Sequence, residues 1–170
     1  MKNFDCSIPT RIIFGEDGEK QVGKLIREYG FHKVLIHYGG GSVKRSGLLG
    51  QVKELLDKEG VGYVELGGVQ PNPTLSLVRE GIELCRKERV DLILAVGGGS
   101  VLDSSKSIGD GAGNPDRDVW DFFLGKAAPA GHIPVAAILT LSASGSEMSQ
   151  SAVLTNEETG LKRGFNSPTH

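Results

Sequence analysis

Short apolar segments alternate with amphipathic segments along most of this 170-residue chain. Most of the apolar segments have no polar face, which is typical of strands that helices cover on both sides of a parallel sheet. Between them, apolar residues recur at helical spacing, as at Val22, Leu25, Ile26 and Tyr29. The apolar segments lie at residues 10–14, 33–38, 61–66, 91–96 and 133–139. We therefore predict an α/β fold with a doubly wound, mostly parallel sheet of five strands joined by helices.

The end of the chain follows a different pattern. Residues 153–155 and 161–163 flank a turn-forming stretch from Asn156 to Gly160, which predicts a short terminal β-hairpin. With 38% hydrophobic and 24% charged residues, the composition is that of a globular protein. Because a chain of this length suits one domain, we interpret residues 1–170 as a single domain.

Charge and composition exclude several kinds of partner and location. The chain has 19 basic and 21 acidic residues, and a net charge of −2 argues against a nucleic-acid partner. The apolar segment 133–139 is far shorter than the ~20 residues of a membrane-spanning helix. The first residues, 1–6, carry no apolar export signal. Only Cys6 and Cys85 are present, so we expect no disulfide framework and a reducing, cytoplasmic location.

The sharpest local motif is the glycine run that follows the fourth predicted strand. Gly97, Gly98 and Gly99 follow the strand directly, and a helix is predicted to start at Ser100, with Asp103 completing a capping box. Glycines allow a phosphate to approach the backbone closely, and a helix N-terminus favours an anion, so the motif indicates phosphate binding. The alternative is a tight turn with a good helix cap. The Walker loop and the G-x-G-x-x-G fingerprint are both excluded, since no Gly-Lys-Ser/Thr string occurs and residue 102 is Leu.

Several further motifs occur in a fixed order around this one. They are Tyr38–Ser42, Pro71–Pro73, Val96–Asp103 with Lys106, Asp118–Phe122, Thr140–Glu147, and Leu154–Asn156 with Lys162 and Arg163. Together they resemble the iron-containing alcohol dehydrogenase family, in its butanol dehydrogenase and aldehyde reductase branch. The resemblance covers essentially the whole chain and corresponds to the N-terminal half of such a protein.

The resemblance implies a Rossmann-like nucleotide-binding domain, followed in the whole protein by a helical domain. It implies hydride transfer between a primary alcohol or aldehyde and NADP or NAD, assisted by a divalent metal, iron or zinc. The metal ligands of the family, an Asp and three His, would lie beyond residue 170, so we expect neither catalytic nor metal-binding residues in this chain and no dehydrogenase activity from it alone. A small alcohol or aldehyde would be the substrate, and a homodimer is compatible with the family.

The resemblance also implies a set of cofactor-binding residues. Those assigned to the pyrophosphate are Gly97, Gly98, Gly99 and Ser100, with Asp103 beside them. Those assigned to the nicotinamide and ribose side are Thr140, Leu141, Ser142 and Ser146. The remaining assigned residues are Gly40, Gly41, Ser42, Asn72 and Lys162. The alternatives left open are that Asn72 is a turn residue, that Lys162 is a solvated hairpin lysine, and that Ser144 and Ser146 only form a polar turn after the strand.

The loop after Tyr38 bears on the choice between NAD and NADP. It contains Ser42 and, beyond it, Lys44 and Arg45, but no carboxylate that would repel a 2′-phosphate. We therefore expect NADP(H) to be accepted and preferred. The competing interpretation is that the two basic side chains simply face water.

The remaining side chains with possible functions favour structural roles. His32, His37, His132 and His170 are widely spaced, and we interpret them as surface or structural residues without partners. Trp120, Phe122 and Phe123 could cover the cleft, although packing of a short helix explains them better. Other readings of the whole chain are a polyol dehydrogenase, a glycerol-phosphate dehydrogenase, a dehydroquinate-synthase-like protein, or a non-catalytic nucleotide-binding module that acts alone.

Overall fold

The structure is a computed structural model that describes residues 10–168 and 170. A four-stranded parallel sheet forms the centre of the protein. The strands are β1 (Lys33–Gly39), β2 (Gly62–Val69), β3 (Leu92–Gly97) and β4 (Val135–Leu139). Their order in the sheet is β2-β1-β3-β4, and all neighbouring pairs are parallel. The predicted doubly wound, mostly parallel α/β fold is confirmed.

Among the described residues, six helices and a hairpin surround this sheet. The helices are α1 (Val22–Glu28), α2 (Ser42–Arg45), α3 (Leu48–Lys58), α4 (Leu75–Glu88), α5 (Gly99–Ala112) and α6 (Val119–Phe123). Single 3₁₀ turns lie at Gly18–Gln21 and Ser146–Met148. The predicted terminal hairpin is confirmed as the antiparallel pair β5 (Ser151–Asn156) and β6 (Leu161–Asn166). No helix of the described residues is long and apolar enough to cross a membrane.

Alternate residues of the central strands pack into two different cores. Ile36 and Leu94 belong to a core shared with α1 and α3, whereas Leu35 and Ile93 belong to one shared with α4, α5 and α6. All four side chains are at most 1% exposed. This explains why the strands are apolar on both faces, because each face is covered by helices.

The aromatic residues of α6 belong to the second core. Phe122 and Phe123 each lie close to the ring of Phe165 on β6, with ring centroids 6.1 and 5.6 Å apart. Trp120 stacks on Phe123 at 5.7 Å. These rings attach the hairpin to the helical layer, and the packing interpretation therefore accounts for them.

The fold also corrects one prediction about a strand. Residues 10–14 form no strand, and Ile12 and Phe14 are 58% and 99% exposed. An apolar run of this kind becomes a strand only where a neighbouring strand pairs with it, and no described residue does so. Between α2 and α3 the chain turns at Gly47, whose φ of 81° lies in the left-handed region.

The order of the strands places two loops side by side. From β1 the chain moves outward to β2, and then crosses back to β3 on the other side of β1. Ligands of open α/β sheets bind at such a reversal, next to the carboxyl ends of the strands. The loops at those ends are the glycine-rich segments 39–42 and 97–99.

Candidate cofactor site

A cleft of about 270 Å³ opens at the N-terminus of α5. Residues from four separate parts of the chain line it: Asn72, Pro73, Gly99, Ser100, Asp103, Ser144, Val153 and Lys162. The structure thus brings together five of the residues predicted to bind a cofactor. Their contact with a cofactor stays a prediction.

The three glycines of the turn meet different surroundings. A Cβ on Gly97 would lie 2.5 Å from the Val101 side chain, and a Cβ on Gly99 would lie 2.2 Å from the Ser144 hydroxyl oxygen. A Cβ on Gly98 would meet nothing nearer than 3.7 Å. The protein itself therefore requires small residues at two of the positions, while a Cβ on Gly98 would make only an ordinary contact with Leu141.

The N-cap of this helix lies two residues earlier than the predicted N-cap, Ser100. Gly98 is the N-cap of α5 and accepts hydrogen bonds from the N–H groups of Val101 and Leu102. Ser100 lies within the helix and makes no side-chain cap, so the predicted capping box is wrong. Because the first N–H groups of an α-helix have no partner within it, this glycine-capped terminus can bind an anion.

Asp103 bonds across the cleft floor instead of capping the helix. Its carboxylate accepts a hydrogen bond of 2.7 Å from the Ser146 hydroxyl and one of 3.2 Å from the Val153 N–H. Ser146 is buried and does not line the cleft. Its hydroxyl therefore orients the Asp103 carboxylate. The carboxylate joins α5 to both the loop after β4 and the hairpin.

Lys106, one turn further along α5, is buried and holds the same loop. Its ammonium group donates to three backbone carbonyls, those of Ser146 at 2.8 Å, Ser149 at 2.6 Å and Ser151 at 2.9 Å. Burial lowers the pKa of this lysine, and nearby carboxylates oppose that effect. Those carboxylates belong to Asp103, Glu147 and Asp110.

The hairpin is joined to the Pro71–Pro73 loop at several points. The Lys162 ammonium donates a hydrogen bond of 2.6 Å to the Asn72 side-chain oxygen, and the Thr155 N–H donates to the Pro73 carbonyl at 2.9 Å. Glu157 caps α4 by accepting from the N–H of Leu75 at 3.0 Å. Thr74, the N-cap residue of α4, is of a type that commonly caps helices, but its side chain makes no such bond.

Glu157 is a carboxylate at a helix N-terminus, and this position lowers its pKa. Burial acts to raise its pKa, but hydrogen bonds from the Ser76 hydroxyl and from the N–H groups of Ser76 and Leu75 outweigh it, so the pKa is lowered. A negative charge at this end of a helix is favourable. The hairpin is therefore fixed to the sheet domain by a charge as well as by backbone bonds.

The loop at the end of β1 is the second glycine-rich segment of this edge. Gly40 and Ser42 are exposed, and the guanidinium of Arg45 lies against Gly41, where a Cβ would be 2.9 Å from its Nη1. The Lys44 ammonium lies 5.2 Å from the centroid of the Tyr38 ring. Both basic side chains are thus placed on the loop.

The loop after β4 contributes less to the cleft than its sequence suggested. The Thr140 N–H donates to the Gly97 carbonyl at 2.9 Å, which continues the pairing of β4 with β3. Leu141 is 65% exposed, and it is the residue that a Cβ on Gly98 would meet. Ser142 is also exposed. Their contact with a nicotinamide or ribose stays a prediction.

The histidines correct the expectation that they lack partners. Asp110 accepts from Nδ1 of His132 at 2.9 Å and lies 2.7 Å from Nε2 of His170. Burial alone would raise the pKa of Asp110, but the hydrogen bonds and charges of the two histidines lower it. His37 is fully buried, and its Nδ1 donates to the Leu66 carbonyl at 2.8 Å.

The described residues contain no group of three or more His, Cys, Asp or Glu side chains that could hold a metal ion. The residues present in this part of the chain therefore do not fit the metal of the family. Cys85 is buried, and burial raises the pKa of its thiol to about 12, so it is not a nucleophile.

Comparisons with known proteins agree with this architecture. Residues 9–170 match the sequence profile described as iron-containing alcohol dehydrogenase. The chain is 46% identical over 164 residues to NADH-dependent butanol dehydrogenase A of Clostridium acetobutylicum, covering 96% of this chain and 42% of that protein. It is 40% identical to the NADPH-dependent aldehyde reductase YqhD of Escherichia coli, covering 98% and 43%. The crystal structure of NADH-dependent butanol dehydrogenase A from Thermotoga maritima matches with a TM-score of 0.95 and 45% identity, covering 99% and 42%.

Fold and site together define a doubly wound α/β domain with a glycine-rich turn at its strand reversal. The chain belongs to the iron-containing alcohol dehydrogenase family. The family resemblance drawn from the motifs is confirmed. The chain spans less than half the length of the relatives named above, 42% or 43% in each case.

Three residues of the site were missed or undervalued by sequence reasoning. Val153 lines the cleft and Glu157 caps α4 only because the hairpin folds back, and no local pattern indicates such contacts. Ser144 was assigned equally to a polar turn, yet it lines the cleft against Gly99. The clash that a Cβ on Gly99 would make with Ser144 is visible only in three dimensions.

Proposed function

We propose that residues 1–170 are the cofactor-binding domain of an NAD(P)-dependent alcohol dehydrogenase or aldehyde reductase. The observation that carries this proposal is the cleft at the N-terminus of the 14-residue helix α5, which Gly99, Ser100 and Asp103 line. A dinucleotide diphosphate can approach such a backbone closely and is stabilised by the helix terminus. The loop 39–42 lies at the end of the neighbouring strand, where the ribose half would bind.

The residues of this chain would bind and orient the cofactor. The glycine turn would hold the diphosphate, Lys162 would pair with a phosphate or ribose oxygen, and Asp103 would face the same cleft from below. When bound, NAD(P)(H) supplies or accepts the hydride. In the whole protein, we propose reversible oxidation of a primary alcohol to an aldehyde, with an iron or zinc ion bound by residues outside this domain.

The partner and location proposals are coarser. Exposed apolar side chains at Ile12, Ile13 and Phe14 support self-association, and we propose a homodimer, which light scattering on the purified chain would test. The scarcity of cysteines supports a cytoplasmic location. A second candidate function is a non-catalytic nucleotide-binding module, because the cleft at the N-terminus of α5 accounts for nucleotide binding alone.

Cofactor binding is tested by calorimetric titration of the chain with NADH and NADPH. Gly98→Val should abolish binding while the protein still folds, because a Cβ at Gly98 meets nothing nearer than Leu141 at 3.7 Å and the φ of Gly98, −100°, suits any residue, whereas the added side chain would stand where the diphosphate approaches the turn. The control is Gly50→Val on the exposed face of α3, where an added Cβ meets nothing within 4 Å. Unchanged affinity in a folded Gly98→Val variant contradicts the proposal.

The two candidate functions are separated by enzymology on the whole protein. A dehydrogenase should show alcohol-dependent reduction of NAD(P)⁺ that requires a divalent metal. A binding module should bind the cofactor with no such turnover. The chain of 170 residues should show binding without turnover in either case.

A further inference from the structure

We propose that Asn72 is a positioning residue, whose side-chain amide holds the Lys162 ammonium at the cleft without neutralising its charge. The proposal rests on the proposed function, since it concerns how the cleft meets the phosphate of a dinucleotide. It assigns Asn72 a role through Lys162 and not through direct contact with the cofactor.

The contact itself joins two distant parts of the chain. Lys162 Nζ lies 2.6 Å from Asn72 Oδ1, although 90 positions separate the residues. Both side chains line the cleft, and both residues are exposed. An isolated polar pair on the surface contributes little to stability, so any importance of this bond must come from what it orients.

The backbone around Asn72 is unusually well fixed for an exposed loop. Pro71 and Pro73 flank it, and its φ of 61° lies in the left-handed region, which Asn tolerates better than most residues. The Pro73 carbonyl accepts from the Thr155 N–H at 2.9 Å, and Thr74 forms a β-bridge with Thr155. The amide therefore approaches Lys162 from a rigid support that is bonded to the hairpin carrying the lysine.

Charge explains why an amide serves better here than a carboxylate. Among the described residues that line the cleft, Lys162 is the one cation and Asp103 is the one carboxylate. Asp103 already accepts bonds from Ser146 and Val153. A neutral acceptor uses one of the three ammonium protons and leaves two protons and the full charge for a phosphate oxygen. A carboxylate at position 72 would pair with the lysine and repel the phosphate.

The test measures the dissociation constant of NADPH by calorimetry at several salt concentrations. The variants are Asn72→Gly, Asn72→Asp, Lys162→Met and the double variant Asn72→Gly/Lys162→Met. Glycine suits the left-handed backbone, so Asn72→Gly removes the amide without adding strain. Lys24→Met, an exposed lysine on α1, is the matched control. Circular dichroism and urea unfolding verify that each variant is folded.

We expect Lys162→Met to weaken NADPH binding about tenfold and to reduce its dependence on salt. Asn72→Gly should weaken binding severalfold and keep the salt dependence, because the charge remains but is no longer oriented. Asn72→Asp should weaken binding at least as much and reduce the salt dependence, although it retains an acceptor. The double variant should bind no more weakly than Lys162→Met, since the amide acts only through the lysine.

The outcomes separate this inference from the proposed function. If the wild-type chain binds NADPH and both Asn72 variants bind it with the same affinity, the inference alone is overturned. Losses that add in the double variant also overturn it, because they would indicate a direct contact of Asn72 with the cofactor. Absence of NADH and NADPH binding by the wild-type chain overturns the proposed function together with the inference.

Discussion

The Asp103 carboxylate accepts a hydrogen bond of 2.7 Å from the Ser146 hydroxyl, which lies 43 positions further along the chain. A second bond, from the Val153 N–H at 3.2 Å, gives the same carboxylate a partner on the hairpin. Helix α5, the loop after β4 and the hairpin therefore meet at one side chain. The floor of the cleft depends on this junction.

Removal of the Asp103 carboxylate should destabilise the protein. Asp103→Ala leaves the Ser146 hydroxyl and the Val153 N–H without this acceptor, and we expect a loss of about 2 kcal/mol in the free energy of unfolding. Ser146→Ala should cost about 1 kcal/mol, since it removes the short bond to Asp103 and a long one of 3.4 Å from the Lys106 ammonium. Urea unfolding measures both, with the exposed Ser142→Ala as control. Because the two residues share a bond, losses that simply add in the double variant contradict this account.

Lys106 should be more important to stability than any exposed lysine. Lys106→Met deletes an ammonium group that three buried or half-buried carbonyls share, although the Ser146 carbonyl keeps a bond of 3.2 Å from the Ser149 N–H. We expect a loss of about 3 kcal/mol in urea unfolding, whereas the exposed Lys87→Met should change little. A Lys106→Met variant as stable as the wild type would show that the carbonyls find other partners.

Glu157 should stabilise the hairpin against α4. Glu157→Ala removes the acceptor for the Leu75 and Ser76 N–H groups, and the expected loss is about 1 kcal/mol. The adjacent Glu158→Ala is the control, because its side chain has no part in the cap. The pKa of Glu157 is lowered in the folded state, so its contribution is present above its unfolded value of 4.5 and is lost as the pH falls through the folded value. Urea midpoints of the two variants should converge at low pH.

His37 predicts a pH dependence of its own. Burial lowers its pKa to about 4, from 6.5 in the unfolded chain. Between these values the unfolded state binds more protons, so stability falls as the pH drops from 6.5 to 4, by about 3 kcal/mol from this residue. The stability is fully present above pH 6.5.

A variant without the buried imidazole isolates this effect. His37→Gln should be less stable at pH 7 but should show a flatter decline of the urea midpoint between pH 6.5 and pH 4. The matched control is His32→Gln, whose side chain is 68% exposed. The decline that remains belongs to carboxylates such as Asp110, whose pKa is also lowered. Equal slopes for the wild type and His37→Gln would mean that His37 does not stay neutral in the folded protein.

The sequence predicted the sheet well because burial on both faces leaves a continuous apolar pattern. It failed at residues 10–14, where the same residue types are exposed. A strand depends on its neighbour as much as on its own composition, and the neighbour is not a local property. The cap of α4 was not predictable for a related reason, because its acceptor, Glu157, comes from the distant hairpin and not from the adjacent Thr74.

The site was predictable where local backbone chemistry defines it. The glycine turn follows from a strand that runs into Gly97, Gly98 and Gly99, and it lies where the sequence indicated. The supporting bonds were not predictable, because the partners of Asp103 and Lys106 lie 40 to 50 positions away in the sequence. Such pairs have no spacing that a single sequence reveals.

The last prediction concerns the choice between NADP and NAD. The curated relatives include enzymes named for NADH and for NADPH, so they leave the choice for this chain open. In the structure, Arg45 folds onto Gly41 at the loop after β1, and the nearby carboxylate of Glu65 is occupied by Lys53 at 2.6 Å. A 2′-phosphate at this loop would meet a guanidinium and no free carboxylate, so we expect tighter binding of NADPH than of NADH.

Two variants of the loop test this preference by calorimetry at one ionic strength. Ser42→Asp should weaken NADPH binding at least tenfold more than NADH binding, because a carboxylate there repels the extra phosphate. Arg45→Ala should reduce the preference in the same direction, while Arg27→Ala on α1 should leave both affinities unchanged. Tighter binding of NADH by the wild type, unaffected by Ser42→Asp, would show that this loop does not contact the ribose.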